Sequence, residues 1–286
     1  DIFRAYDIRG VYGEELDAEI GERVGLAFGN FLRKQYNGGK ISIGCDARVS
    51  SPELQMAVSK GVSRAGFDVD IIGMVPIPVA NYFTWKSNLN SEEYVAGVYI
   101  TASHNPAEYN GIRFRHPDGT GFTEGNVEIK RIFFEEKLIE YDNGTISDLS
   151  SEEVLEDYMR FVSTKVGNLT GIKVALDPGN GVGCVIVDKI FERLGAETFS
   201  INNTPDGTFP NRPSEPAPKN LGDLIEVMNN GEFDFVWLAG FGNSRPAQGI
   251  NDPLWSRAIA FRNNGITVVL VSIDSVGTVS YTHLRA

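Results

Sequence analysis

Val95-Ala96-Gly97-Val98-Tyr99-Ile100, running into Thr101-Ala102-Ser103-His104-Asn105-Pro106, is the stretch on which the reading of this chain turns. Six apolar or small residues bounded by polar punctuation predict a buried strand. A serine and a histidine delivered at the carboxyl end of such a strand stand where open α/β sheets place their ligands. Asn105-Pro106 then forces the chain to turn, because proline fixes φ and biases its predecessor away from the helical region. Tyr109-Asn110-Gly111-Ile112-Arg113-Phe114 reads as a second tight turn ending on a cation. A hydroxyl, an imidazole, an amide and a guanidinium are thereby gathered near one strand end.

Outward from this point, strand and helix alternate, which predicts an α/β fold of tandem domains with mixed, mostly parallel sheets. Strands are expected over 40–46, 70–75 and 94–101. Leu16, Ile20, Val24, Phe28 and Leu32 recur every four residues and mark an amphipathic helix. Ser51-Pro52-Glu53 opens another, with Ser51 as cap, Pro52 in the first turn and Glu53 complementing the dipole. A helix over 124–138 is followed by the breaker Asp142-Asn143-Gly144. A second unit begins near residue 148, dividing the chain into domains 1–147 and 148–286. In it, helices are expected over 151–166, 182–194 (ended by Gly195) and 221–229. Strands are expected over 171–177, 198–203 and 233–238. Five prolines within 205–218 impose a rigid, irregular loop.

The chain has 286 residues, 42% hydrophobic and 22% charged, the composition of about two soluble domains. No apolar run reaches the roughly 18 residues of a membrane-spanning helix, and no signal peptide is visible, so a cytoplasmic location is expected. Cys45 and Cys184 offer neither a disulfide framework nor metal-ligand spacing. A net charge of −12 argues against nucleic acid or an anionic membrane as partner. It leaves room for a small phosphorylated ligand, since Arg4, Arg9, Arg48, Arg113 and Arg115 supply local cations. The oligomeric state is not legible.

The string from Thr101 to Phe114 resembles the active-site serine loop of the α-D-phosphohexomutases. Phe3-Arg4-Ala5-Tyr6-Asp7-Ile8-Arg9-Gly10 resembles the opening of their phosphomannomutase/phosphoglucomutase branch; the phosphoglucosamine branch tends to a Phe-Gly-Thr-Asp-Gly opening instead. Gly44-Cys45-Asp46-Ala47-Arg48-Val49-Ser50 is similar to the family's Gly-x-Asp-x-Arg-x-Ser segment. Asp177-Pro178-Gly179-Asn180-Gly181-Val182-Gly183 lacks nucleotide-binding spacing and matches a turn of the second mutase domain, as Pro205-Asp206-Gly207-Thr208-Phe209-Pro210-Asn211 matches a loop there; both read as structural. The resemblance implies interconversion of hexose 1-phosphate and 6-phosphate through a sugar bisphosphate, with hexose phosphates as partners, a hexose 1,6-bisphosphate as activator and Mg²⁺ as cofactor. Ser103 would carry the phosphoryl group and offer a phosphate oxygen to the metal. His104 and Arg113 would be catalytic, and Tyr6, Arg9, Arg48 and Asn105 would contact substrate or phosphate. Arg113 stands where the family usually has lysine; it keeps the charge but cannot act as a base. Solvated arginines on an N-terminal hairpin and a surface Asp46–Arg48 ion pair are the plainer alternatives.

The resemblance ends near residue 235. Where the family carries Asp-Gly-Asp-x-Asp-Arg for the metal, this chain has Gly240-Phe241-Gly242-Asn243-Ser244-Arg245. Hard cations want oxygen ligands, and no carboxylate lies between Asp234 and Asp252. A start at Asp1, an off-pattern tail from about residue 236 and the missing third and fourth domains point to a fragment, with a frameshift near Val236 accounting for the tail. Such a chain is expected to be inactive. A non-catalytic sugar-phosphate-binding or scaffold protein of the same fold is the alternative. Low order is expected after residue 240, although residues 266–273 are apolar and β-branched enough to form a strand.

Overall fold

The computed structural model describes residues 2–4, 7–91, 93–122, 125–135, 137–231, 235–238, 255–263 and 266–274. The first half of the chain follows the order β1 (Ile8–Val11), α1 (Ala18–Leu32), β2 (Lys40–Cys45), α2 (Ser51–Arg64), β3 (Asp68–Met74), α3 (Ile77–Ser91), β4 (Tyr94–Ile100), β5 (Tyr109–Arg115), α4 (Asn126–Glu135) and β6 (Ile146–Asp148). Its six strands form one sheet in the order β1-β5-β4-β2-β3-β6. The β4, β2, β3 and β6 pairings are parallel, while β5 and β1 join antiparallel. All seven positions of β4 are buried, as its unbroken apolar run demands of a strand covered on both faces. Val98 and Ile100 point into the core under α1, α2 and α4, and Tyr99 between them points into the core on the other face.

The second half continues with α5 (Ser151–Ser163), β7 (Lys173–Asp177), α6 (Val187–Arg193), β8 (Glu197–Ser200), α7 (Gly222–Asn230), β9 (Phe235–Leu238), β10 (Trp255–Asn263) and β11 (Ile266–Asp274). A parallel sheet β8-β7-β9 forms here, and β10 pairs antiparallel with β11 in a separate two-stranded sheet. One hydrophobic cluster joins the halves. Ile72, Val75, Val79 and Tyr99 from the first sheet's side pack with Val154, Leu155 and Met159 of α5 and with Val174 and Leu176 of β7. Among the described residues no helix is long and apolar enough to cross a membrane.

Several elements depart from the expectations. Residues 109–115 are not a turn but strand β5: Asn110 is fully buried, donating from Nδ2 to Ser50 and Ser51 Oγ, and Gly111 lies between Ile8 O and Thr101 O of the flanking strands. Helix α3, starting beside Pro76-Ile77-Pro78, carried no one-sided pattern because apolar and polar residues are mixed around its axis. Val79 and Ala80 are buried, while Tyr82 and Trp85 meet Phe161 of α5. The expected helix over 182–194 is a 3₁₀ turn, Val182–Val185, followed by α6. Ser51 does not cap α2. Its hydroxyl donates to Asp46 Oδ1 at 2.6 Å, and Ser50 holds the cap position without a side-chain capping bond. Residues 266–274 do form a strand, with 255–263 as partner. The expectation of low order in 239–254 and 275–286 lies outside the described residues.

Helices α1 and α2 approach so closely that a Cβ at Gly61 would collide with Glu22 O and Leu26 N, and one at Gly25 with Val58 O. Gly61→Ala, which by intrinsic propensity should gain about 1 kcal/mol, is therefore expected to lose about 1–3 kcal/mol in urea unfolding, because the helices must move apart. Burial pushes the thiols of Cys45 and Cys184 up to about 12. Both should thus resist iodoacetamide at pH 8 in the folded protein and react once urea unfolds it, because the thiolate is the nucleophile. Alkylation counted by intact mass checks this.

Candidate active site

Asp46, at the carboxyl end of β2, is the point from which the site is built. Its backbone N–H donates to Ile100 O of β4 at 3.0 Å, tying the two strand ends together. Its carboxylate accepts from Arg48 N and Ser51 Oγ on one oxygen and from Arg48 Nε and Thr101 Oγ1 on the other, at 2.6–3.2 Å. Such charge-assisted bonds are the strong ones. They turn the Arg48 side chain, which is wholly buried, under the loop that follows β4.

A guanidinium has five N–H donors, and Arg48 uses all of them. Nε faces Asp46 at 3.2 Å. Nη1 donates to Pro106 O at 2.5 Å and Tyr109 O at 2.9 Å, and Nη2 to Ser103 O at 3.0 Å and Asn105 O at 2.6 Å. Burial pulls its pKa down, and Asp46 opposes that pull. With no donor left over, Arg48 organises the main chain beneath Ser103 rather than facing a phosphate.

Ser103 lies on the loop after β4 with φ at +59°, a left-handed conformation rare for a residue bearing a side chain. Its N–H donates to Thr101 Oγ1 at 2.9 Å, and its Oγ is 3.3 Å from His104 Nδ1. Holding a serine there costs on the order of 1–2 kcal/mol, which the bonds from Arg48 to the loop carbonyls offset. His104 is partly exposed, with Nε2 3.5 Å from Glu215 Oε2.

Two further cations stand beside the loop. Arg9 on β1 donates from Nη2 to Asp7 Oδ2 at 2.6 Å, and Arg113 on β5 reaches the same oxygen from Nε and Nη2 at 3.3 and 3.2 Å. Asp7 is buried, so it holds the two guanidiniums side by side against their mutual repulsion. Arg9 Nη1 donates to Asn105 Oδ1 at 3.2 Å, while its Nε is buried with no partner. Arg115 turns to Asn81 Oδ1 instead, and burial lowers its pKa to about 10. Of the residues singled out from the sequence, Ser103, His104, Asn105, Arg9 and Arg113 come together; Arg48 lies beneath them, and Tyr6 lies outside the described residues.

Thr101 and Asp7 were missed. Thr101 relays Asp46 to the Ser103 amide, and its place two residues ahead of the serine was the only available signal. Asp7, two residues before Arg9, was readable as a partner for that arginine. Among the described residues no group of three or more His, Cys, Asp or Glu could hold a metal ion. Asp7 is committed to two arginines and Asp46 to four donors, and Glu215 faces the His104 imidazole. This donor set does not fit Mg²⁺.

The sheet order, the loop and the paired arginines define an α/β protein with a serine at a strand end beside two cations. Family models for α/β/α domains I and II of phosphoglucomutase/phosphomannomutase match residues 1–140 and 155–239. A Thermococcus kodakarensis protein named phosphoglucomutase/phosphomannomutase is 32% identical over 82% of this chain and 52% of its own length. A probable phosphoglucosamine mutase of Methanothermobacter thermautotrophicus is 33% identical over 88% and 54%. The crystal structure of a phosphoglucomutase/phosphomannomutase family protein from Burkholderia thailandensis superposes with a TM-score of 0.67 at 32% identity, covering 80% of this chain and 49% of that one. The chain belongs to the α-D-phosphohexomutase family. It spans about half the length of the curated relatives it matches.

Arg48→Lys keeps one charge but leaves loop carbonyls without donors. It is expected to cost about 2–4 kcal/mol in urea unfolding and to speed amide exchange in residues 103–109 more than in β4.

Proposed function

We propose that this chain carries the phosphoserine unit and part of the second unit of a cytoplasmic phosphohexomutase, with the division near residue 148. Ser103 is the phosphate carrier. In the forward half-reaction the P–Oγ bond breaks and a P–O bond forms to a hydroxyl of the hexose phosphate, whose proton leaves to solvent. His104 Nδ1, 3.3 Å from Oγ, returns a proton to the serine oxygen and takes it back when the sugar bisphosphate rephosphorylates Ser103. Arg9 and Arg113 neutralise the transferring group, the main task in phosphoryl transfer, and Asn105 orients Arg9. Arg48 supports the loop from below. The observation that carries this reading is Ser103 in its left-handed turn beside two guanidiniums, one of them with a buried, unpartnered Nε–H.

Hexose phosphates are the substrate class, and the opening from Phe3 to Gly10 favours glucose or mannose over glucosamine. Mg²⁺ would add charge neutralisation at the phosphoryl oxygens in the whole enzyme. Among the described residues no cluster supplies its carboxylates. The absence of carboxylates in Gly240 to Arg245 favours a second reading, a sugar-phosphate-binding protein without turnover.

Intact mass after incubation with glucose 1,6-bisphosphate separates the two. A phosphoryl group gained on the chain and lost in Ser103→Ala supports the carrier role; reversible binding without that gain supports the second reading. No turnover of glucose 1-phosphate is expected from the 286-residue chain even with Mg²⁺ and bisphosphate, and a coupled assay showing Ser103-dependent turnover would overturn that expectation.

A further inference from the structure

The proline-rich loop at 205–218 belongs to the second half of the chain, yet it packs on the serine loop of the first. Ser214 Oγ lies 2.7 Å from both His104 O and Asn105 O, close enough for its single O–H to be shared between them. Glu215 faces the His104 imidazole at 3.5 Å. The Phe209 ring centroid is 5.3 Å from the Arg48 guanidinium carbon. Gly207 sits so close to the turn at 47–49 that a Cβ would run into Ala47 O, Arg48 Cα and Val49 N.

This loop is itself held fast. Arg212 is buried and donates from Nε to Asp177 Oδ2 at 2.7 Å and from Nη2 to Asp177 O at 3.2 Å, at the carboxyl end of β7. Asp177 also accepts from Gly179 N and Asn202 Nδ2. A buried strand-end aspartate gripping a buried arginine thus recurs: Asp46–Arg48 holds the serine loop from beneath, and Asp177–Arg212 holds the loop that covers its other side. Arg48 Nη2 and Ser214 Oγ converge from opposite sides on one atom, Asn105 O.

We propose that Ser214 is a positioning residue: it fixes the peptide groups of His104 and Asn105 and so sets the left-handed turn in which Ser103 is presented. The serine loop is then a composite of both halves. Its geometry stands apart from the proposed chemistry, but its purpose rests on Ser103 being the phosphate carrier.

Hydrogen exchange on the full chain tests the proposal, resolved at the Ser103 and Asn105 amides, which donate to Thr101 Oγ1 and Ala102 O. Ser214→Ala is expected to speed exchange at these two amides about fivefold, the equivalent of one ordinary hydrogen bond, with the amides of β4 and β7 unchanged. Ser214→Thr, which keeps the hydroxyl, should restore slow exchange. Equal rates in Ser214→Ala and the parent chain would overturn the proposal, and so would acceleration spread evenly over β4 and β7. Phosphoryl uptake by the parent chain from glucose 1,6-bisphosphate, read by intact mass, tests the carrier role separately. Its failure with the exchange pattern intact would sink the chemistry and leave the positioning role standing.

Discussion

The desolvated pair Asp46–Arg48 is the constraint on which the site depends. A buried guanidinium is tolerable only if its charge is matched and its donors satisfied. Asp46 provides the charge, and the carbonyls of Ser103, Asn105, Pro106 and Tyr109 take the remaining four N–H groups. The relation also runs the other way. These carbonyls turn inward because Arg48 is there to receive them, and a chain so anchored can hold Ser103 at positive φ. The serine hydroxyl is therefore presented by a rigid loop rather than found by a mobile one, which suits chemistry that relies on positioning.

The same economy explains how three arginines can crowd one strand end. Arg48 is consumed internally. Arg9 and Arg113 share a single buried carboxylate oxygen of Asp7, which offsets their repulsion without filling every donor. Two guanidiniums against one carboxylate leave a local excess of positive charge on a protein whose net charge is −12. The shared hydrophobic cluster of α3, α5, β4 and β7 fixes the second half close enough for the 205–218 loop to reach the first half's carbonyls.

The fold was largely readable. The four-residue recurrence from Ile20 to Leu32 is α1, with Leu16 left just ahead of its cap Asp17, and the apolar runs near 40, 70 and 95 are β2, β3 and β4. Misreadings have local causes. Asn110-Gly111 is strong turn chemistry, overridden because the asparagine side chain bonds Ser50 and Ser51 and the glycine lets two strands close in. Helix α3 packs on the sheet and on α5 at once, so it shows none of the one-sided patterning by which a surface helix is recognised.

The sequence by itself determined that a serine, a histidine and an asparagine end a buried strand, that an α/β sheet surrounds them, and that the family's metal carboxylates are missing from residues 240–245. These are matters of residue type and short-range period, which neighbouring positions carry. Only the tertiary structure decided what Arg48 and Ser214 do. Arg48 bonds carbonyls 55 to 61 positions away, and Ser214 bonds carbonyls about 110 positions away. A side chain's identity says how many hydrogen bonds it can make. Which atoms receive them is settled when distant segments are packed into one water-free volume and every buried donor must find an acceptor.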